Sequence, residues 1–400
     1  LNDCYREIGT RGGVMMPEFI KMLSDSFASG ENGGIEDCLT VMNTQPVMNA
    51  YWEDKEADLE TISIPAYIVA SYTNPIHTYG SIEGYRRISC REKWLRIHNT
   101  GEWDDYYNPE HVEDLRKFFD HYLKGLDNGW EKTPRVRLSV LNPGGKDIVN
   151  RAEKDFPLPQ TEYKKLYLNS KEHSLSLENP QNESQVQYDS DKRNAKVIFR
   201  MRMSEDTEIT GYQKLRLWVS ALDHDDLDLK IKVEKRNKFG LKYSSSIGPG
   251  CEMAATGYIR VSLRDLDIKR STEENPRQSM LKERKLNKGE IVPVDILIWP
   301  MGMLFKKNDV LQITISPYKT KKIWTGPFKL KMAKIELPTE GYTYLENSKP
   351  KMYTIGGGKM FEGHETQEST LPKDVNEGRQ VIYTGGKYDS YLYVPFIPKK

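Results

Sequence analysis

The sequence predicts an α/β fold followed by an all-β fold, and three observations carry that prediction. Between about residues 60 and 130, short, nearly all-apolar runs alternate with helical patterns. From about Thr133 onward, apolar residues recur at period two in many short segments. At 400 residues the chain is also too long for one ordinary domain. These textures divide it at residues 1–59, 60–130 and 131–400.

The first region reads as part of a helical layer or cap. Pro17, Phe19, Ile20, Met22 and Leu23 begin one amphipathic stretch, and Ile35, Leu39 and Met42 begin another, with Gly30, Gly33 and Gly34 between them. In the second region, Ile64 to Ala70 is an apolar run of strand length, the mark of a strand buried on both faces in a parallel sheet. A loop follows from Ser71 to Thr78, then a helix with Ile82 and Tyr85 on its apolar side. Lys93 to Ile97 is a second strand. Pro109 opens a stronger helix in which Val112, Leu115, Phe118, Phe119, Tyr122 and Leu123 recur at helical spacing, and Gly125 closes it. Sheets of this kind hold ligands in the loops at the carboxyl ends of their strands, here Ser71 to Thr78 and His98 to Asp105. In the third region Leu138 and Val140, Leu215 to Val219, Leu229 to Val233, Leu311 to Ile315 and Leu392 to Phe396 alternate as a two-sheet sandwich would. Ser170 to Asn194 and Arg270 to Lys288 read as long loops.

Composition narrows the function classes. With 37% hydrophobic and 29% charged residues, the chain suits a soluble globular protein. Its 59 basic and 58 acidic residues leave a net charge of +1, so no long-range field draws it to nucleic acid or an anionic membrane. No run approaches the ~18 consecutive apolar residues that span a bilayer. No signal peptide pattern follows Leu1, and the cytoplasm is the expected compartment. Cys4, Cys38, Cys90 and Cys251 are too scattered for a disulfide framework or a zinc knuckle. No cofactor and no metal are expected. The acidic cluster Asp223, Asp225, Asp226 and Asp228 lacks the glycine and distal glutamate of a calcium loop and reads as a solvated turn. Gly356 to Lys359 lacks phosphate-loop spacing, and Ser244 to Gly248 reads as a turn. Trp299 to Met303 and Trp324 read as packing surface.

Several stretches carry a resemblance. Asp3 to Glu7, Ile64 to Ala70, Lys93 to Asn99 and Phe118 to Gly125 fall in order in the first third. Lys214 to Ala221 with Asp225 to Asp228, Gly257 to Ser262 and Gly289 to Val294 continue the series. Together they resemble the CocE/NonD-type α/β-hydrolases, the group of Xaa-Pro dipeptidyl-peptidases and cocaine-esterase-like enzymes. The resemblance implies the C-terminal part of an α/β-hydrolase core with part of a helical cap, then a jelly-roll β-sandwich. It implies a serine hydrolase cleaving an ester, amide or peptide bond, with a small-molecule or short-peptide substrate.

Such chemistry needs a serine on a GxSxG elbow, a histidine and a carboxylate. No GxSxG occurs in the 400 residues, and the resemblance places the serine N-terminal to Leu1. It also places Asn74 at the position of the acid and Glu102 at that of the histidine. An amide cannot stabilise an imidazolium, and a carboxylate is a poor base toward a serine hydroxyl. Each loop carries a histidine, His77 and His98. A shifted arrangement has His98 as the substitute base, oriented by Glu102, Asp104 or Asp105. The other reading is a catalytically inactive relative that serves as a binding or assembly module.

Overall fold

A computed structural model describes residues 3–17, 38–74, 76–243, 254–319 and 375–398. The chain divides into two compact units, one of Leu1–Met15, Val47–Lys319 and Asp374–Lys400, the other of Met16–Pro46 and Thr320–Lys373. In the second unit the described element is helix α1 (Cys38–Thr44), in which Met42 is buried and the Thr44 hydroxyl donates to the Thr40 carbonyl at 2.9 Å. Phe19 to Leu23, Ile35, Ser244 to Gly248, Trp324 and Gly356 to Lys359 lie outside the described residues.

The first unit begins differently from the expected helical layer. Cys4–Gly9 winds as a single π-helical turn capped by Asp3, and β1 (Thr10–Arg11) pairs with β2 (Val14–Met15) in a two-stranded hairpin. The hairpin tip presses on the sandwich: a Cβ on Gly12 (φ +56°) would stand 1.9 Å from the Tyr258 carbonyl oxygen, and Gly12 accepts a bond from the Arg260 amide at 2.7 Å. Only glycine fits that contact. Asp3 bonds Arg6 at 2.7 Å and Arg277 at 3.0 Å, tying the segment down. The short helix α2 (Ala50–Glu53) follows, capped by Asn49.

A four-stranded sheet carries the α/β pattern. Strand β3 (Ala66–Ser71) is followed by helix α3 (Thr78–Arg87), strand β4 (Lys93–His98), helices α4 (Glu102–Tyr106) and α5 (Pro109–Lys124), and strands β5 (Val136–Val140) and β6 (Ile148–Glu153). The order is β3-β4-β5-β6, parallel through β5, with β6 antiparallel. Two expectations are corrected. Leu138 and Val140 alternate like sandwich residues, yet their strand bonds to β4, with Leu95 opposite Val136. Strand β3 is the end strand of the described sheet and is only half-buried, while Ile64 before it is 69% exposed. In α5 the proline start and the left-handed Gly125 stop (φ +67°) are as predicted, and Asn108 caps the first turn. Phe118 is buried against Trp94 and Trp130, whereas Phe119 and Leu123 remain exposed.

Eleven strands build the sandwich: β7 (Glu162–Asn169), β8 (Ser174–Ser176), β9 (Ser184–Asp189), β10 (Val197–Arg202), β11 (Thr207–Ala221), β12 (Asp228–Arg236), β13 (Ala255–Arg260), β14 (Val292–Phe305), β15 (Val310–Pro317), β16 (Arg379–Thr384) and β17 (Tyr391–Ile397). Their hydrogen bonds run in the order β14-β13-β12-β15-β10-β8-β7-β17-β11-β16-β9. An added β11–β14 pairing closes nine of them into a barrel-like ring. Strands β8 and β9 occupy the stretch Ser170 to Asn194 expected to be loop: their alternation is carried by Ser, Gln and Tyr, so apolar periodicity misses it. The inward Leu215, Leu217, Ile231, Ile296, Ile313 and Leu392 are buried. One continuous apolar cluster joins them to Leu95, Ile97 and Leu138 of the four-stranded sheet. The Leu141 amide donates to the Gly302 carbonyl at 2.9 Å and the Leu304 amide to the Leu141 carbonyl at 2.8 Å, splicing β5 to β14.

The acidic cluster is no simple solvated turn. Asp226 and Asp228 are buried, the first paired with Lys285 at 2.9 Å, the second bidentate with Arg260 at 2.9 and 2.7 Å. Asp223 instead grips Arg379. These acids are structural rivets, and no group of three or more metal-ligating side chains occurs among the described residues. No helix there is long and apolar enough to cross a membrane.

Candidate active site

The loops after β3 and β4 meet because their strands are parallel neighbours, with Ser71 opposite His98. Short hydroxyl side chains lace them together. The Ser71 and Thr73 hydroxyls both donate to the Thr100 carbonyl, at 2.8 and 3.0 Å. The Thr78 hydroxyl reaches back to the Ser71 and Asn74 carbonyls.

Asn74 and Glu102 are brought into direct contact. The Asn74 carbonyl oxygen Oδ1 accepts from the Ile76 and His77 amides, both at 2.7 Å, and so caps the turn that leads into α3. That fixes which end of the amide faces outward: Nδ2 donates to Glu102 Oε2 at 2.7 Å. The other carboxylate oxygen, Oε1, faces His77 Nε2 at 3.9 Å. The side chains of His77 and Glu102 are 38% and 39% exposed, so the group stands at the rim. Burial lowers the His77 pKa below its ordinary value, and Glu102 opposes that shift.

His98 does not join this rim. Along β4 the side chains alternate, so Trp94, Arg96 and His98 share the face opposite that of Leu95 and Ile97. His98 is buried, with Nδ1 3.2 Å from the Thr100 hydroxyl and 3.6 Å from Asp105. Asp105 is gripped by both guanidinium nitrogens of Arg96 and by His111 at 2.9 Å. The network runs on through Tyr67, which accepts from Arg96 and Arg137 and donates to Asp114. Burial pushes the His98 pKa down to about 4, with Asp105 acting against the shift. For Asp105 burial pulls upward, yet bonds from Arg96 and His111 outweigh it and hold the carboxyl well below the usual range. His98 is thus a neutral, buried member of a structural ion-pair network. Its pattern-mates Trp94 and Arg96 carried that signal in the sequence.

Next to Asn74 an open hollow lies between the β3 loop and the sandwich. Its loop side presents Tyr72, Thr73 and Thr78, and its far wall presents Lys230, Thr256 and Trp299. Arg11 from the hairpin crosses the wall, donating to the Thr256 carbonyl and hydroxyl at 3.1 Å, its guanidinium 3.7 Å from the Trp299 ring centroid. Tyr79 of α3 stacks on Trp299 at 5.8 Å. Trp299 therefore packs, as expected, and also bounds the hollow. Sequence reasoning missed Arg11 and Thr256 here, since neither lies in a pattern that periodicity or a motif marks.

Residues 128–393 match the family described as the X-Pro dipeptidyl-peptidase C-terminal non-catalytic domain. The fold is similar to two solved structures of a CocE/NonD family hydrolase from Staphylococcus aureus. Both are 32% identical, with TM-scores of 0.82 and 0.83; the matches cover 99% and 100% of this chain and 66% of the other. The chain thus spans just under two thirds of the length of that hydrolase. An aminopeptidase from the marine sediment archaeon Thaumarchaeota archaeon shares the fold at 12% identity and a TM-score of 0.66, over 100% of this chain and 71% of the other. No curated protein matches.

Proposed function

The chain belongs to the CocE/NonD-type hydrolase family, and we propose that it serves hydrolysis of an ester, amide or peptide bond at the rim where the β3 and β4 loops meet. In this reading the four-stranded sheet is the C-terminal end of an α/β-hydrolase core, residues 60–130 and the strands beyond. The sandwich is the jelly-roll that walls the substrate cleft. The nucleophilic serine lies outside residues 1–400, which contain no GxSxG. A small ester, amide or short peptide occupies the hollow between the β3 loop and the wall of Thr256 and Trp299. The observation that supports this most is the Asn74 to Glu102 contact at 2.7 Å, which joins the two loops beside that hollow.

The test is labelling of the whole protein with a fluorophosphonate, together with turnover of p-nitrophenyl esters and Xaa-Pro anilides. One labelled serine and turnover of at least one substrate class is the expected result. An inactive binding or assembly module is the second reading, and it rests on the amide that stands where the family carries an acid. Absence of both labelling and turnover would favour it.

A further inference from the structure

We propose that the histidine and carboxylate of this site have exchanged loops: His77, on the β3 loop, is the catalytic base, Glu102, on the β4 loop, is its positioning carboxylate, and Asn74 clamps Glu102. The inference rests on the hydrolase reading above and assigns its residues. The geometry points to it in three ways. Glu102 divides its two oxygens between Asn74 Nδ2 at 2.7 Å and His77 Nε2 at 3.9 Å. The second distance is longer than a hydrogen bond, as catalytic contacts often are before substrate binds. His98 has been turned to the opposite face by the pleat of β4, which leaves His77, among the described residues, as the imidazole on the rim.

Asn74 fits the same exchange, as the third observation. Its Oδ1 is occupied by two backbone amides, so the second head-group atom must face Glu102 Oε2. An aspartate there would set oxygen against oxygen, two like charges at hydrogen-bond distance. With the carboxylate moved to position 102, position 74 requires a donor, and asparagine supplies one. The substitution that looks like loss of the acid is thus what a displaced acid needs.

The chemistry balances with these groups. The nucleophile's hydroxyl oxygen bonds to the substrate carbonyl carbon as its proton passes to Nδ1 of His77, and the carbonyl π electrons move onto oxygen. Glu102 faces Nε2–H and stabilises the imidazolium. On collapse the carbonyl double bond re-forms, the bond to the leaving alcohol or amine breaks, and that group takes the proton from His77. Water then repeats the sequence, releasing the acid and restoring the hydroxyl. The lowered His77 pKa keeps the ring neutral and able to accept a proton near pH 7.

The experiment measures kcat, KM and melting temperature of the whole protein and its variants on the ester it turns over. His77→Ala should lower kcat about 10³-fold with KM and melting temperature little changed, and added imidazole should restore part of the rate. His77→Gln is the second variant should alanine disturb folding. Glu102→Gln should lower kcat by about 10²-fold or more without raising KM. Asn74→Asp should lower turnover, whereas the conventional arrangement predicts that restoring an acid there raises it. Turnover that survives both His77 substitutions, or rises in Asn74→Asp, overturns the exchange alone. No labelling and no turnover in the unsubstituted protein overturns the hydrolase reading and the exchange with it.

Discussion

His77 follows β3 and His98 ends β4, its parallel neighbour, and their fates differ because of a single property, the face to which each side chain points. The β4 pleat sends His98 in beside Arg96 and Asp105, where burial pushes its pKa to about 4. The unfolded chain carries an ordinary histidine near 6.5, so between these values it binds the proton and the folded protein does not. Stability is therefore in full above about pH 6.5 and declines as pH falls through about 4, by up to about 3 kcal/mol. Urea unfolding at pH 7.5 and pH 4.5 should reveal this loss, and His98→Gln should flatten it. An identical slope in the variant would mean that other groups carry the acid sensitivity. At this scale the sequence was legible in part. Asn74 and Glu102 follow directly from two strands, and the structure brings them together. The choice between the two histidines depended on strand parity and on Asp105 and His111, which come from α4 and the start of α5.

At the scale of elements, helix α5 shows how much local rules can establish. Pro109 at the start and Gly125 at the end define it from sequence, and the structure adds Asn108 as cap and the left-handed conformation of Gly125. Nothing stands within 4 Å of a Cβ built on Gly125, so Gly125→Ala meets only backbone strain and should cost about 1 kcal/mol in chemical unfolding. Gly12→Ala should cost distinctly more, because its Cβ would overlap the Tyr258 carbonyl and force the hairpin off β13. Equal losses for the two would remove the claimed close approach. What periodicity misassigned was decided by which strand pairs with which. Strand β5 alternates at Leu138 and Val140 like a sandwich strand, yet it extends the parallel sheet, bonded to β4 on one side and to the antiparallel β6 on the other. Strands β8 and β9 are polar and short, and their pairing to β7, β10 and β16 is a long-range fact no local pattern contains.

At the scale of the first compact unit, the four-stranded sheet and the sandwich share one apolar cluster and are spliced through Leu141 to β14. They should therefore unfold together. Leu138→Ala, in the sheet, should destabilise by about 2–5 kcal/mol and lower the transition reported by sandwich tryptophans such as Trp218 as well. Two separated transitions would contradict a shared core. That shared core also holds the β3 loop against the sandwich wall, which is the basis of the site. The most direct measurement is the structure of the whole protein bearing a covalent phosphonate adduct. The proposed exchange predicts the phosphorus beside His77, Asn74 and Glu102, at the mouth of the hollow bounded by Thr256 and Trp299. An adduct seated elsewhere, or a protein that forms none, would contradict it.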